Sequence, residues 1–592
     1  MVEVIIVLSL LVVVTVIFAT EWIPVDIVTL LLLLTLLTTG ILTADEAFAG
    51  FGSDILIMLA SVFVLSGAMR ETGVVDQIGS TLARVSAGRS ENVILTVLMS
   101  SVAALSSVMN NTTVTALMLG PVTGLARQGN ISPSKLLMPL SFAAILGGTC
   151  TVIGTSTNVA VSGYLDKMGE RGIGFFEMTP LGVILVLVGI GSMLLFGKRL
   201  LPSHAEAESL AEGYGLQKYL SEVIIQEDSP WVGKRLSKCD FEELDMRILS
   251  VFRDGAKLVA EGKTVLRSGD TLMVRADVES LMKVRETKGI EILPDAKFGD
   301  GALRADDHEI LEVFITPLSG LRDRTLREVD LTARGVTVLA INRHGRHLRR
   351  ALRDVRMMMG DLLLVQGSPE NMASFRNSPD VAVYGELNPG LHRGKKGMIV
   401  LGAMLGGVIA SATGIMPLSG GLLAAAVASV LLRTIPAHRV YQVIEWRLLI
   451  LIAGMMALGT AMDKTGAADL LANGVVQVFD FGGTWMILAA FVILTVLLTQ
   501  PMSNAAAALV ILPVAFSTAE QLGANGRSFA IAIAFSASVS LIAPFEPSSL
   551  LVYGVGKYRV ADFLRVGGSI TLILILLIVV LVPVFWPLLP AS

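Results

Sequence analysis

Apolar residues run along this chain in long blocks: Val4–Phe18, Val25–Leu42, Leu181–Phe196, Met398–Ala410 with its flanks, and Ile570–Val584. Several of them, alone or with their flanks, reach the roughly 20 residues that an α-helix needs to cross a bilayer. Between about Lys198 and Lys396 the pattern changes. Charges crowd in, no long apolar run occurs, and short β-rich runs (ILSVF, TLMVR, VTVLAI, DLLLVQG) alternate with helical stretches. The pattern predicts an all-α polytopic membrane protein in two halves, 1–200 and 395–592, interrupted by a soluble α+β insert. The first apolar block lacks a basic n-region and resembles a segment of the second half, so it reads as a span and not as a cleaved signal.

The same reading follows from composition. Of 592 residues 53% are hydrophobic and only 16% charged, where a soluble chain of this length has about 25% charged residues. The surplus apolar surface faces lipid. Cys150 and Cys239 lie in different regions, which leaves no disulfide framework and no metal cluster. All six histidines fall in the insert or at loop ends, which excludes a histidine proton relay inside the membrane.

Internal repeats determine the expected architecture. TEWIP (Thr20–Pro24) resembles TGIMP (Thr413–Pro417), GAMRETGVVD (Gly67–Asp76) resembles TAMDKTGAAD (Thr460–Asp469), and MNN (Met109–Asn111) resembles MSN (Met502–Asn504), each pair 393 positions apart. Ile153–Gly163 matches Pro544–Gly554 at an offset of 391. One membrane unit is used twice. Basic residues flank the insert (Lys198, Arg199, Arg393, Lys395, Lys396), which places it in the cytoplasm by the positive-inside rule. Arg70, Arg84 and Arg89 follow the third span, whereas in the second half the basic loop Arg433–Arg439 follows the second span. Equivalent loops then lie on opposite sides, so the repeat is expected to be inverted, with both termini outside. The insert is duplicated too. Glu222–Gly255 matches Glu312–Gly345 at an offset of 90, and Gly269-Asp270 matches Gly360-Asp361 at 91, which predicts two small modules, 205–295 and 296–385.

Inverted-repeat transporters hold substrate and ions near the bilayer midplane, where interrupted helices expose backbone dipoles. Four such interruptions occur, two per half: Ser106–Thr113, Gly147–Asn158, Thr499–Ala505 and Ala543–Ser549. Non-helical backbone at membrane depth persists only where it lines a cavity or is buried in protein. Asn, Ser and Thr oxygens with freed carbonyls suit a hard cation such as Na⁺, and freed N–H groups at half-helix N-termini suit an anion. Small residues that pack helices together are the competing explanation, weakened here because the interruptions come in repeat-related pairs.

NNTTVTALMLGP (Asn110–Pro121), GGTCTVIGTSTN (Gly147–Asn158), SNAAAALVILP (Ser503–Pro513) and LLVYGVGKYRVADFLRVG (Leu550–Gly567) resemble the divalent anion:sodium symporter family, in the family's order and across both halves. The resemblance implies two hairpin tips that hold the substrate's anionic groups, each helping to bind one Na⁺. Carried over by position, the substrate residues are Asn110, Asn111 and Thr112 in the first tip, Ser503, Asn504 and Ala505 in the second, with Glu546 and Pro547. The implied sodium ligands are Ser106, Asn110, Asn111 and Gly154 for one ion, and Thr499, Met502, Asn504 and Phe545 for the other. Asn110 replaces the family's Ser, Ala505 its Thr, and Glu546 its Thr before the proline. An ionisable residue at this depth is a functional hypothesis by default, with a solvated or N–H-capped carboxyl as its alternative. Ionised and facing the site, Glu546 repels a second substrate carboxylate or pairs with an ammonium. Protonated, it donates a hydrogen bond and makes transport pH-sensitive.

The insert resembles the tandem C-terminal modules of the potassium-channel regulator family (TrkA-C type), which dimerise and bind small ligands. Combined with the symporter core it resembles a group that includes sulfate transporters. The resemblances imply Na⁺-coupled uptake of a small divalent anion, sulfate favoured, by an elevator-type cycle in the inner (plasma) membrane. H⁺ remains an alternative coupling ion, and a homodimer and a small-molecule regulator of the insert are expected partners. A C4-dicarboxylate or amino-acid-like anion transporter is the alternative, and a transport-inactive membrane sensor is the alternative of another class. No selectivity-filter loop like TVGYG, no phosphate loop and no nucleophile–base pair occurs, so a channel, an ATP-driven pump and an enzyme are unsupported. Neither a prosthetic cofactor nor a nucleic-acid partner is expected. Trp22 and Trp446 read as interface anchors, and Arg349, Arg350, Arg353 and Arg356 as a solvated basic face.

Overall fold

The computed structural model describes residues 2–20, 22–72, 89–129, 131–202, 394–479, 482–556 and 558–589, together with most of 219–383. Within that last stretch, 240, 242–245, 254–255, 259–263, 277–282, 284–288, 293–308, 316–318, 330, 332–334, 343–353, 359–360, 377 and 379 lie outside the description. Asp76, Arg84, Gly255, residues 343–345, Arg349, Arg350, Arg353, Gly360 and Arg393 therefore fall outside the described residues. The chain separates into two compact units. One comprises Met1–Val122, Pro133–Pro202 and Pro389–Ser592, the other Thr123–Ser132 and Ser203–Asn388.

The first unit is helical, and the end of one of its helices, from Thr123 on, is grouped with the second. In its first half lie α1 (Val2–Thr20), α2 (Val25–Thr38), α3 (Ala44–Phe48), α4 (Asp54–Glu71), α5 (Glu91–Ser106), α6 (Asn111–Gln128), α7 (Ser134–Gly148), α8 (Ser156–Lys167) and α9 (Thr179–Ser192). A π-helical turn continues α9 through Met193–Gly197 to Leu200. Among the described residues five helical segments are long and apolar enough to cross a membrane, Val2–Thr20, Ala44–Glu71 and Thr179–Leu200 among them. Their outward faces keep large apolar side chains exposed, such as Val12, Leu187 and Leu572, as lipid-facing helices do. The TEWIP and TGIMP segments have a simple local meaning. Pro24 and Pro417 each stand as the residue before a helix, with φ near −60° and extended ψ, where the missing proline N–H costs nothing.

After the insert, which contains α10 (Pro369–Arg376), come α11 (Gly394–Ala412), α12 (Leu418–Leu431), α13 (Ala437–Val443), α14 (Trp446–Thr465) and α15 (Ala467–Phe479). The half closes with α16 (Gly483–Leu498), α17 (Asn504–Gln521), α18 (Gly526–Ser538), α19 (Pro547–Val555) and α20 (Val560–Phe585). Helix for helix, the second half repeats the first: α12 follows α2, α14 follows α4, and α16 to α19 follow α5 to α8. Packing is exchanged between the halves. α4 packs on α12 while α14 packs on α2, and α7 packs on α19 while α18 packs on α8. Each half therefore packs on the other as well as within itself, and the exchange is reciprocal. The duplicated sequence was the visible half of this design.

The second unit is built on a nine-stranded sheet. Its strands are β1 (Tyr219–Ile225), β2 (Arg247–Arg253), β3 (Ala256–Leu258), β4 (Thr271–Ala276), β5 (Ile290–Ile292), β6 (Glu309–Ile315), β7 (Val336–Asn342), β8 (Leu362–Gly367) and β9 (Val381–Val383). β6 repeats β1 at an offset of 90, and β8 and β9 repeat β4 and β5 at 91. The paired Gly-Asp motifs have a physical role. Asp270 accepts from the Arg267 N–H at 2.8 Å and from Arg253 Nε and Nη2 at 2.7 Å each, and Asp361 accepts from the Met358 N–H at 2.8 Å. Each carboxylate closes the turn before the strand that follows. The copies do not stay separate sheets: β1 pairs with β7 at Leu220 and Ile341, so one continuous sheet joins them.

Candidate functional site

Inside the apolar unit the chain leaves helix at 107–110, 149–155, 499–503 and 539–546, the four interruptions that the sequence predicts. Each is rich in Ser, Thr, Asn, Gly or Pro, which bond to nearby backbone or cannot continue a helix. Every break also frees backbone groups that a continuous helix would pair.

The first tip is closely tied. Asn110 Oδ1 accepts from the Thr112 N–H at 2.9 Å and caps α6. Asn111, 7% exposed, accepts at Oδ1 from the Ser106 hydroxyl at 2.9 Å, and Ser106 is fully buried. Thr112 stays half-buried at the tip. The Asn111 amide rests on the end of α7, where a Cβ on Gly148 would stand 2.4 Å from Asn111 Oδ1. Only glycine leaves room there. The break after α7 folds back on itself, so that a Cβ on Gly154 would stand 2.5 Å from the Gly148 carbonyl oxygen.

Side chains then stitch the two breaks of this half together. The Thr151 hydroxyl donates to the Ser107 carbonyl, and the Gly154 N–H donates to Thr151 Oγ1 at 3.1 Å. Asn158 Nδ2 donates to the carbonyls of Gly148 at 3.2 Å and Thr151 at 2.9 Å, which fixes how its amide points. Asn158 Oδ1 and Thr157 Oγ1 are enclosed oxygens with no donor among the described residues. Such oxygens are costly to bury, and a hard cation satisfies them.

The second tip has the same elements wired differently. Ser503 caps α17, its hydroxyl oxygen accepting from the Ala506 N–H at 3.3 Å. Asn504 is half-buried, and its amide has no hydrogen-bond partner among the described residues. Met502 and Ala505 are buried. The Thr499 hydroxyl donates to the Val496 carbonyl at 2.8 Å, within its own helix, so the link that Ser106 makes to Asn111 has no counterpart here. Gln500 Nε2 instead donates to Val496 O at 2.8 Å and to Ser540 Oγ, tying this tip to the break 539–546. At that break Phe545 is 65% exposed and Pro547 opens α19. Glu546 is the N-cap: its carboxylate accepts from the N–H groups of Ser548 at 2.7 Å and Ser549 at 3.2 Å, and from the Ser548 hydroxyl at 3.2 Å. The capped arrangement weighed for this carboxyl is the one present.

Side chains also link the two halves. The hydroxyls of Ser141 on α7 and Ser549 on α19 lie 3.0 Å apart. The arrangement offers two amides at helix starts, freed carbonyls beside them and enclosed oxygens, which suits ions of both signs and contains no nucleophile held by a base. Among the described residues no group of three His, Cys, Asp or Glu side chains could hold a metal ion. Sequence reasoning placed Gly148, Thr151, Asn158 and Gln500 inside the interruptions but assigned none of them a role. An amide enclosed in an apolar run was the available signal for Asn158, but its use as a staple depends on the fold.

The citrate transporter profile matches residues 15–537. The chain belongs to the citrate transporter family. An uncharacterized transporter of Synechocystis is 32% identical over 99% of this chain and 97% of its own length, and uncharacterized transporter YfbS of Escherichia coli is 30% identical over 99% of each. Probable sodium/sulfate cotransporter 3 of Chlamydomonas reinhardtii is 29% identical over 60% of this chain and 42% of that protein. The solved YdaH transporter of Alcanivorax borkumensis covers 93% of this chain at 14% identity, with a TM-score of 0.42. This citrate-family protein is a membrane transporter.

Proposed function

We propose that this transporter couples inward Na⁺ movement to uptake of a small divalent anion, sulfate favoured, by an elevator-type alternating-access cycle. The observation that carries the reading is the repeat-related pair of tips, Asn110-Asn111-Thr112 and Ser503-Asn504-Ala505, each tied to a second helix break in its own half. Anionic groups bind the helix starts at the tips. Na⁺ takes oxygens of Ser106, Asn110, Asn111 and the Gly154 carbonyl in one half, and of Thr499, Met502, Asn504 and Phe545 in the other. The enclosed oxygens beside Gly154 and the sodium/sulfate cotransporter named among the relatives support this assignment. In this reading the membrane is the inner (plasma) membrane, the insert is cytoplasmic, and residues 205–295 and 296–385 are TrkA-C-like modules that dimerise the protein and take a regulatory ligand. The strand-for-strand duplication of the insert supports the last point.

A second reading is a carboxylate substrate, favoured by the family's citrate description. Counterflow in proteoliposomes with labelled sulfate, succinate and aspartate, each with Na⁺ or choline outside, separates the two. Sulfate uptake that requires Na⁺ is expected. Uptake of succinate alone selects the second reading, and uptake of none of the three overturns both.

A further inference from the structure

Glu546 is the one charged residue in the four helix breaks. Its repeat counterpart, 391 positions earlier, is Thr155, which caps α8 with a neutral hydroxyl, its Oγ1 accepting from the Thr157 N–H at 3.4 Å. The two halves thus present equivalent helix starts that differ by one negative charge. In the second half the first-turn donors of α19 are already used, because the N–H groups of Ser548 and Ser549 both point at the Glu546 carboxylate. Glu546 ends the break 539–546, which Gln500 ties to the second tip through Ser540, and Ser549, whose N–H bonds Glu546, bonds Ser141 on α7 with its hydroxyl. α7 is the helix whose last residue, Gly148, supports Asn111.

We propose that Glu546 determines the substrate class, acting as a built-in anion that admits a compact dianion with its charge on one centre and rejects a dianion with two separated carboxylates. The inference rests on the reading of the breaks as the anion site and deepens it. Two effects act in the same direction. An outside carboxylate finds no free N–H at the start of α19, and a fixed like charge nearby penalises it. A substrate such as sulfate presents one tetrahedral centre, which the tips hold without a second seat. Selectivity then arises from a repulsive element in one half of the repeat, and the Thr155 half shows what the neutral version looks like.

The test is uptake of labelled sulfate into proteoliposomes, with unlabelled succinate as competitor, for wild type, Glu546→Thr and Glu546→Gln. Wild type is expected to resist succinate. Glu546→Thr, which makes the second break chemically like the first, should lower the sulfate-over-succinate preference by on the order of tenfold or more and take up labelled succinate. Glu546→Gln keeps an oxygen for the cap and removes the charge, so it decides the matter should the threonine variant fail to fold. Sulfate uptake with unchanged preference in the folded variants overturns the inference and leaves the proposed function standing. Equal uptake of sulfate and succinate by wild type also overturns it. Uptake of neither anion by wild type removes the proposed function and this inference with it.

Discussion

Asn111 and Gly148 depend on each other, since the amide of one occupies the space that a Cβ on the other would take. Gly148→Ala should therefore displace Asn111 and lower uptake at least about tenfold, a loss of roughly 1.4 kcal/mol or more in transition-state binding. Gly402→Ala on α11, where a Cβ meets nothing within 4 Å, is the control and should transport normally. Asn111→Ala and Asn504→Ala should each abolish uptake while the protein remains monodisperse; wild-type rates in either would remove the tips from the site. The hydroxyls are not equivalent. Ser106 bonds Asn111, whereas Thr499 bonds its own helix, so Ser106→Ala should raise the half-saturating Na⁺ concentration more than Thr499→Ala. Measured Na⁺ dependence of uptake that ranks them the other way contradicts this wiring. The identity of these polar residues was legible in the chain, because amides and hydroxyls stand out in apolar runs. Which hydroxyl meets which amide was not, since it depends on about one ångström of backbone placement.

At the scale of elements, the helices begin and stop where local chemistry dictates, but what holds their ends together is distant in sequence. Glu177, just before α9, is gripped by Arg527 at the start of α18, with Nη2 at 2.6 and 2.7 Å from its two oxygens. The Gly174 N–H at 2.8 Å and Trp586 Nε1 at 3.1 Å also donate to it. Burial raises the Glu177 carboxyl, but Arg527 and these N–H donors outweigh burial and hold it below the usual carboxylate range. Folding then favours the ionised form. The stabilisation is present above the unfolded carboxylate value of about 4.3 and is lost as pH falls through the lower folded value. Glu177→Gln should melt below wild type at pH 7, and the gap should narrow as pH is lowered toward 3. Thermal unfolding of detergent-solubilised protein across that range checks it, and a gap independent of pH would exclude the clamp.

Across the whole molecule, two designs are nested. The membrane unit is two copies of one helical set that exchange packing partners, and the insert is two copies of one strand set joined in one sheet. Neither copy of the insert is a closed sheet alone, because β1 of the first pairs with β7 of the second. Removing 309–383 alone exposes the β1 edge, and an unpaired edge promotes association. Replacing the whole of 203–388 by a flexible linker removes both copies and the β1 edge with them. The whole deletion should stay monodisperse in detergent, and the half deletion should aggregate. Size-exclusion chromatography distinguishes them, and the reverse order would show that the copies fold separately.

By itself, the sequence determined that the chain is a membrane protein of two related halves with a duplicated insert, and where its helices break. Those properties are sums over many residues: apolar run length, repeat offsets, and local preferences of Ser, Asn, Gly and Pro that act within a few positions. Only the tertiary structure decided that Asn158 staples a break, that Gln500 reaches Ser540, that Thr499 turns away from Asn504, and that Glu546 is bound to the start of its own helix. Each of these is a choice of hydrogen-bond partner for one side chain. In a water-poor interior such a choice is settled by which donor or acceptor the fold brings within about 3 Å, a distance set by how the two halves pack and not by the residues' own preferences.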